Sequence, residues 1–131
     1  MESDFEGRLR RGAELFNAGR FFESHEVWED QWRLESGPAR RLLHGLILVA
    51  AGFVKLQRGS PRGAVLNLDK GARKLQGLPP RCAGVDLDRL LSDVGGWRAT
   101  ASAMEQAGRT DYDTAALPRL DLGPSLTRPA A

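Results

Sequence analysis

With 131 residues, 41% of them hydrophobic and 27% charged, the chain has the size and composition of one globular domain able to bury a sizeable core. Its longest nearly uncharged run, Leu42 to Val54, contains His44 and falls short of the ~20 apolar residues of a membrane span. The single cysteine, Cys82, excludes an intrachain disulfide and a cysteine-rich zinc cluster. The net charge of +2 conceals a segregation: residues 1–38 carry five Arg against nine acids, whereas residues 39–81 carry nine Lys+Arg against one Asp. Such asymmetry marks either a basic surface for anionic partners or two halves that pair with each other. Pairing is favoured, because Arg40 and Arg41 open a helix, where the macrodipole disfavours cations and a carboxylate would compensate. The N-terminus begins acidic and lacks the apolar core of a secretion signal, so a cytoplasmic protein is expected.

The first predicted helix covers about Asp4 to Asn17, with Phe5, Leu9, Ala13 and Phe16 at helical steps and Gly19 as its left-handed end. A second runs from about Arg20 to Glu35. Gly37-Pro38 breaks the chain and opens a third, about Pro38 to Arg58, apolar around most of its circumference and therefore central. Ser60-Pro61 reads as N-cap and first turn of a fourth helix ending near Gln76. LPPRCAGVD reads as a loop, and Asp86 caps a fifth helix carrying Leu87, Leu90, Leu91 and Val94, which Gly95-Gly96 interrupts before Trp97. No useful stretch alternates with period two, so no sheet is expected. The prediction is an all-α, single-domain bundle of about five helices over residues 1–107, followed by an irregular extension over 108–131. Pro118, Pro124 and Pro129 forbid a regular helix in that extension, while Leu117, Leu120 and Leu122 favour partial docking.

AGRFFESHEVWEDQW, followed by RRLLHGLILVAAGFVKLQRGSPRGAVLNLDKGARKLQGLP, resembles the small bacterial and archaeal proteins of domain of unknown function family 309. The resemblance spans about Phe16 to Leu78. It rests on His25, Glu29 and Trp32 in a His-x3-Glu-x2-Trp pattern, on Arg41, His44 and Gly45, and on Gly63, Ala64, Leu66, Lys70 and Gly71. It implies a compact helical bundle and no established activity. Where the family commonly carries glutamine on the third helix, this chain has His44 and Leu48.

At 100° per residue, Phe21, His25, Trp28 and Trp32 form one stripe of the second helix with Glu29 on its flank, while Glu23 and Asp30 point away. On the third helix Arg41, Gly45, Leu48 and Gly52 share a stripe flanked by His44 and Lys55. These two stripes are expected to face each other. Glu29 would then meet Arg41 or His25, with Trp32 over the pair. The fourth helix adds Ala64, Asn67, Leu68, Gly71 and Leu75, with Asn67 as the polar exception.

The sequence thus predicts a buried polar cluster of His25, Glu29, Trp32, Arg41 and His44, with Trp28 and Asn67 as secondary members. A nonenzymatic ligand- or partner-binding protein is the leading functional reading, and a structural His–Glu–Arg network without metal outweighs a metal site. A metal-dependent, hydrolase-like enzyme is the main alternative, with His25, Glu29 and His44 as ligands for a divalent transition metal. Acid/base catalysis by His25 lacks an identifiable nucleophile or substrate-positioning group. A weaker alternative is nucleic-acid binding through Arg58, Arg62, Lys70, Arg73, Lys74 and Arg81, for which no recognised motif is present. Val27 and Leu34, on the far side of the second helix, form a second apolar face for another helix of the same chain or for a homodimer.

Overall fold

The computed structural model describes residues 4–129. Five helices account for most of them: α1 (Asp4–Asn17), α2 (Phe21–Trp32), α3 (Gly37–Gln57), α4 (Pro61–Leu75) and α5 (Leu87–Ala107). The all-α prediction holds, and α3 is central, with α2 and α4 packed along it. Its buried residues include Leu42, Leu43, Leu46, Val49, Ala50, Phe53 and Leu56, which together face every neighbour.

Local chemistry sets the helix ends. Ser60 caps α4, its Oγ accepting from the Gly63 backbone N–H at 3.2 Å, and Pro61 occupies the first turn, where a missing N–H costs nothing. Asp86 caps α5 by accepting from the Arg89 N–H at 3.1 Å. The second helix is shorter than expected: it stops at Trp32, and residues 33–36 turn toward α3.

Two expectations are corrected. Gly95-Gly96 does not interrupt α5. Leu90, Val94, Ala101 and Met104 form a buried stripe across the two glycines, and this burial outweighs the roughly 1 kcal/mol that each glycine costs a helix. The loop before α5 contains a minimal hairpin, β1 (Arg81–Cys82) paired antiparallel to β2 (Val85–Asp86). Ala83 and Gly84 both take positive φ, 52° and 83°, as the tight turn between two paired strands demands. The irregular extension is docked on the bundle. Leu120 and Leu126 are buried, Val85 bridges to Leu122, and Asn17 holds Leu120 at both its N–H (2.6 Å) and its C=O (3.1 Å).

The α3/α4 seam decides the shape of the surface above it. A Cβ on Gly71 would lie 2.8 Å from Val49 Cγ2 and 3.0 Å from the Val49 nitrogen, and one on Gly52 would lie 2.8 Å from Leu68 Cδ2. Gly45 is likewise filled by the side chain of Leu75. The glycine stripe of α3 therefore receives α4, not α2 as its spacing alone implied. With the two backbones this close, long side chains at Arg41, His44, Leu48, Lys70, Arg73 and Lys74 stand on the flanks of a groove instead of filling it.

Candidate functional site

Helix α2 carries two tryptophans in different settings. Trp28 is 0% exposed, enclosed by α1, and its Nε1–H donates to the Leu9 carbonyl at 3.2 Å. Beside it Ser24 donates to the Gly12 carbonyl at 2.8 Å, and Arg8 donates to Gln31 Oε1 at 2.8 Å. Trp28, a secondary member of the predicted cluster, thus belongs to the core. Trp32 is only partly buried: Arg40 lies 4.0 Å above its ring, and the His44 ring lies 5.5 Å away. Its Nε1–H is buried with no hydrogen-bond partner among the described residues.

The predicted five-residue cluster divides in two. His25 Nε2 lies 3.2 Å from Glu29 Oε2, while Arg33 donates to Glu29 Oε1 at 2.6 Å. This group sits on a rim, with the His25 and Glu29 side chains 26% and 32% exposed, so it is not the buried charge that was expected. His25 also lines a small cavity of about 160 Å³ with Phe22, Ala51, Val54, Lys55 and Arg58, and its Nδ1 is buried without a partner. The second group, Trp32, His44 and Arg41, lies along the other end of α3. Glu29 does not meet Arg41, and Trp32 does not cover the His25–Glu29 pair.

Both arginines at the start of α3 are compensated by helix ends, not by the carboxylate the charge argument called for. Arg41 donates from Nε to the Lys74 carbonyl (2.7 Å) and from Nη2 to the Gln76 carbonyl (2.6 Å), at the C-terminus of α4. Arg40 donates to the carbonyls of Trp32 (3.2 Å) and Glu35 (3.4 Å), at the C-terminus of α2. Two negative helix ends thus flank the positive start of α3, and each arginine satisfies orphan carbonyls there. The acids of residues 1–38 pair elsewhere: Glu23 with Arg20, Asp30 and Glu29 with Arg33, and Glu35 with Arg128.

The basic half is consequently left with charges that no acid offsets. A cleft of about 670 Å³ opens between α3 and α4, lined by Arg41, His44 and Leu48 from one helix and Lys70, Arg73 and Lys74 from the other. Arg73 pairs with Asp69 at 2.9 Å, but Asp69 also faces Arg98 at 3.4 Å. Neither Lys70 nor Lys74 makes an ion pair among the described residues. Burial, with Lys74 and Arg40 nearby, holds the His44 imidazole below its ordinary range and therefore uncharged near neutral pH.

The remaining candidates are scattered. Among the described residues no three His, Cys, Asp or Glu side chains gather closely enough to hold a metal ion, so His44 does not join His25 and Glu29 in a triad. Asn67 is half-buried on α4 and does not line the cleft. Of the basic residues considered for nucleic acid, only Lys70, Arg73 and Lys74 line the cleft. Arg58 lies over Phe22 in the His25 cavity, and Arg81 packs in the hairpin near Asp86. Cys82 is buried, which pushes its thiol up and leaves it unsuited as a nucleophile.

The sequence reading missed Arg33 as the partner of Glu29, although i,i+4 spacing on α2 signals it. It also missed Arg40 as the cation over Trp32, for which no local signal exists because the contact joins two helices.

With this geometry in hand, the comparison with known families is direct. Residues 9–67 match the family described as Domain of unknown function (DUF309). That segment belongs to the family. It runs from within α1 to the middle of α4 and holds His25, Glu29, Trp32, Arg41 and His44, while Lys70, Arg73 and Lys74 lie beyond it. The family description names no activity, and no curated protein shows significant similarity to the chain. No helix among the described residues is long and apolar enough to cross a membrane.

Proposed function

We propose that the protein is a nonenzymatic binding protein for a small anion, seated in the cleft between α3 and α4. One observation carries this reading: four of the six lining residues are cations and none is a carboxylate. Convergent like charges in a solvent-open groove repel one another, and an anionic ligand relieves that repulsion. The cleft also falls within the ~300–1,000 Å³ typical of small-molecule sites. Of the five predicted cluster residues, Arg41 and His44 line this site, Trp32 backs His44, and His25 and Glu29 stand apart.

Sulfate titrated calorimetrically into the protein at low ionic strength tests the reading. Saturable one-site binding is expected, weakened at least about tenfold by combined Lys70→Ala and Lys74→Ala substitutions and by raised salt. Binding that is absent, or indifferent to the two lysines, would overturn it.

A further inference from the structure

We infer that the occupant of this cleft is a phosphomonoester, a dianionic phosphoryl group carried on an apolar organic body. The inference rests on the anion-binding reading above and adds the charge, shape and body of the ligand.

Charge favours a dianion. Arg41, Lys70 and Lys74 make no ion pair with a carboxylate among the described residues, and Arg73 has only a shared claim on Asp69. A monoanion would leave most of this charge uncompensated. A phosphomonoester, whose second ionisation falls near pH ~6, carries close to two negative charges at neutral pH.

Shape favours a tetrahedral group. The donors come from two helices on opposite sides of the groove: Arg41 and His44 from α3, Lys70 and Lys74 from α4. Two of the five Arg41 donors, on Nε and Nη2, are already used by the end of α4, which fixes its cation in place and leaves the outer N–H groups for a ligand oxygen. The lysines are mobile point charges that can approach separate oxygens of a phosphoryl group.

Size and lining favour an organic body. About 670 Å³ greatly exceeds what an inorganic anion fills, and Leu48 supplies apolar wall between the cations.

Phenyl phosphate, phenyl sulfate and inorganic phosphate are the probes, compared by calorimetry at about pH 7.5, where the first is a dianion and the second an isosteric monoanion. Phenyl phosphate is expected to bind at least about tenfold more tightly than either of the others. Its advantage over phenyl sulfate should shrink in Lys70→Ala/Lys74→Ala, or in Lys74→Gln if the double variant does not fold. Equal binding of phenyl phosphate and phenyl sulfate, both weakened by the lysine substitutions, would overturn the dianion inference and leave the anion cleft standing. Equal binding of phenyl phosphate and inorganic phosphate would overturn the organic body. No binding by any probe would remove both readings. Displacement of phenyl phosphate by a short single-stranded oligonucleotide, with steep salt dependence, would assign the surface to a polyanion and overturn the small-ligand inference.

Discussion

Trp28 and Trp32 stand one turn apart on α2, and their surroundings differ in nearly every respect that matters. Around Trp28 the polar groups named above are paired: the indole N–H, the Ser24 hydroxyl and the Gln31 amide all have partners on α1 or at Glu35 just beyond α2, and Gly12 leaves the room that the indole fills. Around Trp32 the indole N–H has no partner among the described residues, a cation covers the ring, and the neighbouring cleft is lined by four cations and no carboxylate. The first region leaves none of these groups without a hydrogen bond. The second retains unfavourable terms that a purely structural surface has no reason to keep, and a departure of this kind from consistent packing is where function is sought.

The largest effect expected from this contrast is on the Trp28 side. Trp28→Ala should destabilise the protein by about 3–5 kcal/mol, because a fully enclosed indole leaves a cavity that rigid helices cannot collapse. Trp32→Ala should cost less, about 1–2 kcal/mol of lost partial burial. Urea denaturation of both variants checks the ordering; equal losses would erase the distinction between the two regions. A milder pair isolates the hydrogen bonds. Trp28→Phe leaves the buried Leu9 carbonyl without its side-chain donor and should cost about 1–3 kcal/mol, whereas Trp32→Phe removes an unpaired donor and should change stability by less than about 1 kcal/mol.

Acid exposes the sealed side in another way. The Arg128 guanidinium, donating to both oxygens of a Glu35 carboxylate that is only 6% exposed, holds that carboxyl below its ordinary range against the opposing effect of burial, with help from Gln31. The folded value lies below the unfolded one. The linked stability is therefore present above about pH 4.5 and is lost as pH falls through the folded value. In Glu35→Gln the part of the acid destabilisation below about pH 4.5 that belongs to this group should disappear, as thermal melts over pH will read.

How legible these regions were in the sequence follows the same division. The limits of α1 and the caps of α4 and α5 were readable because periodicity, Ser60-Pro61 and Asp86 act locally. The division of the predicted cluster was not, because two facts outside any one helix decide it. The glycines of α3 accept α4, which turns their stripe away from α2, and the negative ends of α2 and α4 claim Arg40 and Arg41. A hairpin with two residues in each strand is likewise below the length at which period-two alternation can register. Of the two partners expected for Glu29, it lies beside His25 and not Arg41, since i,i+4 contacts need only one helix, while the exposure of the pair depended on how α2 is rotated against α3.

The smallest expected effect is the most specific to the cleft. Free His44 resists protonation because it is partly buried and lies near Lys74 and Arg40. A bound anion offsets those cations and favours the imidazolium, so binding is coupled to proton uptake. Phenyl sulfate, which does not itself titrate in this range, should therefore bind more tightly as pH is lowered from about 8 to below 6.5, by up to about tenfold for each unit that binding raises the His44 pKa. His44→Gln keeps a hydrogen-bonding side chain but cannot titrate, and should flatten the profile while retaining the affinity seen at high pH. His25→Gln, on the rim beside Glu29, should leave the slope intact. If instead the slope survives His44→Gln and disappears with His25→Gln, the coupling to His44 is overturned, and the functional side of α2 lies one helical turn or more from the cleft described here.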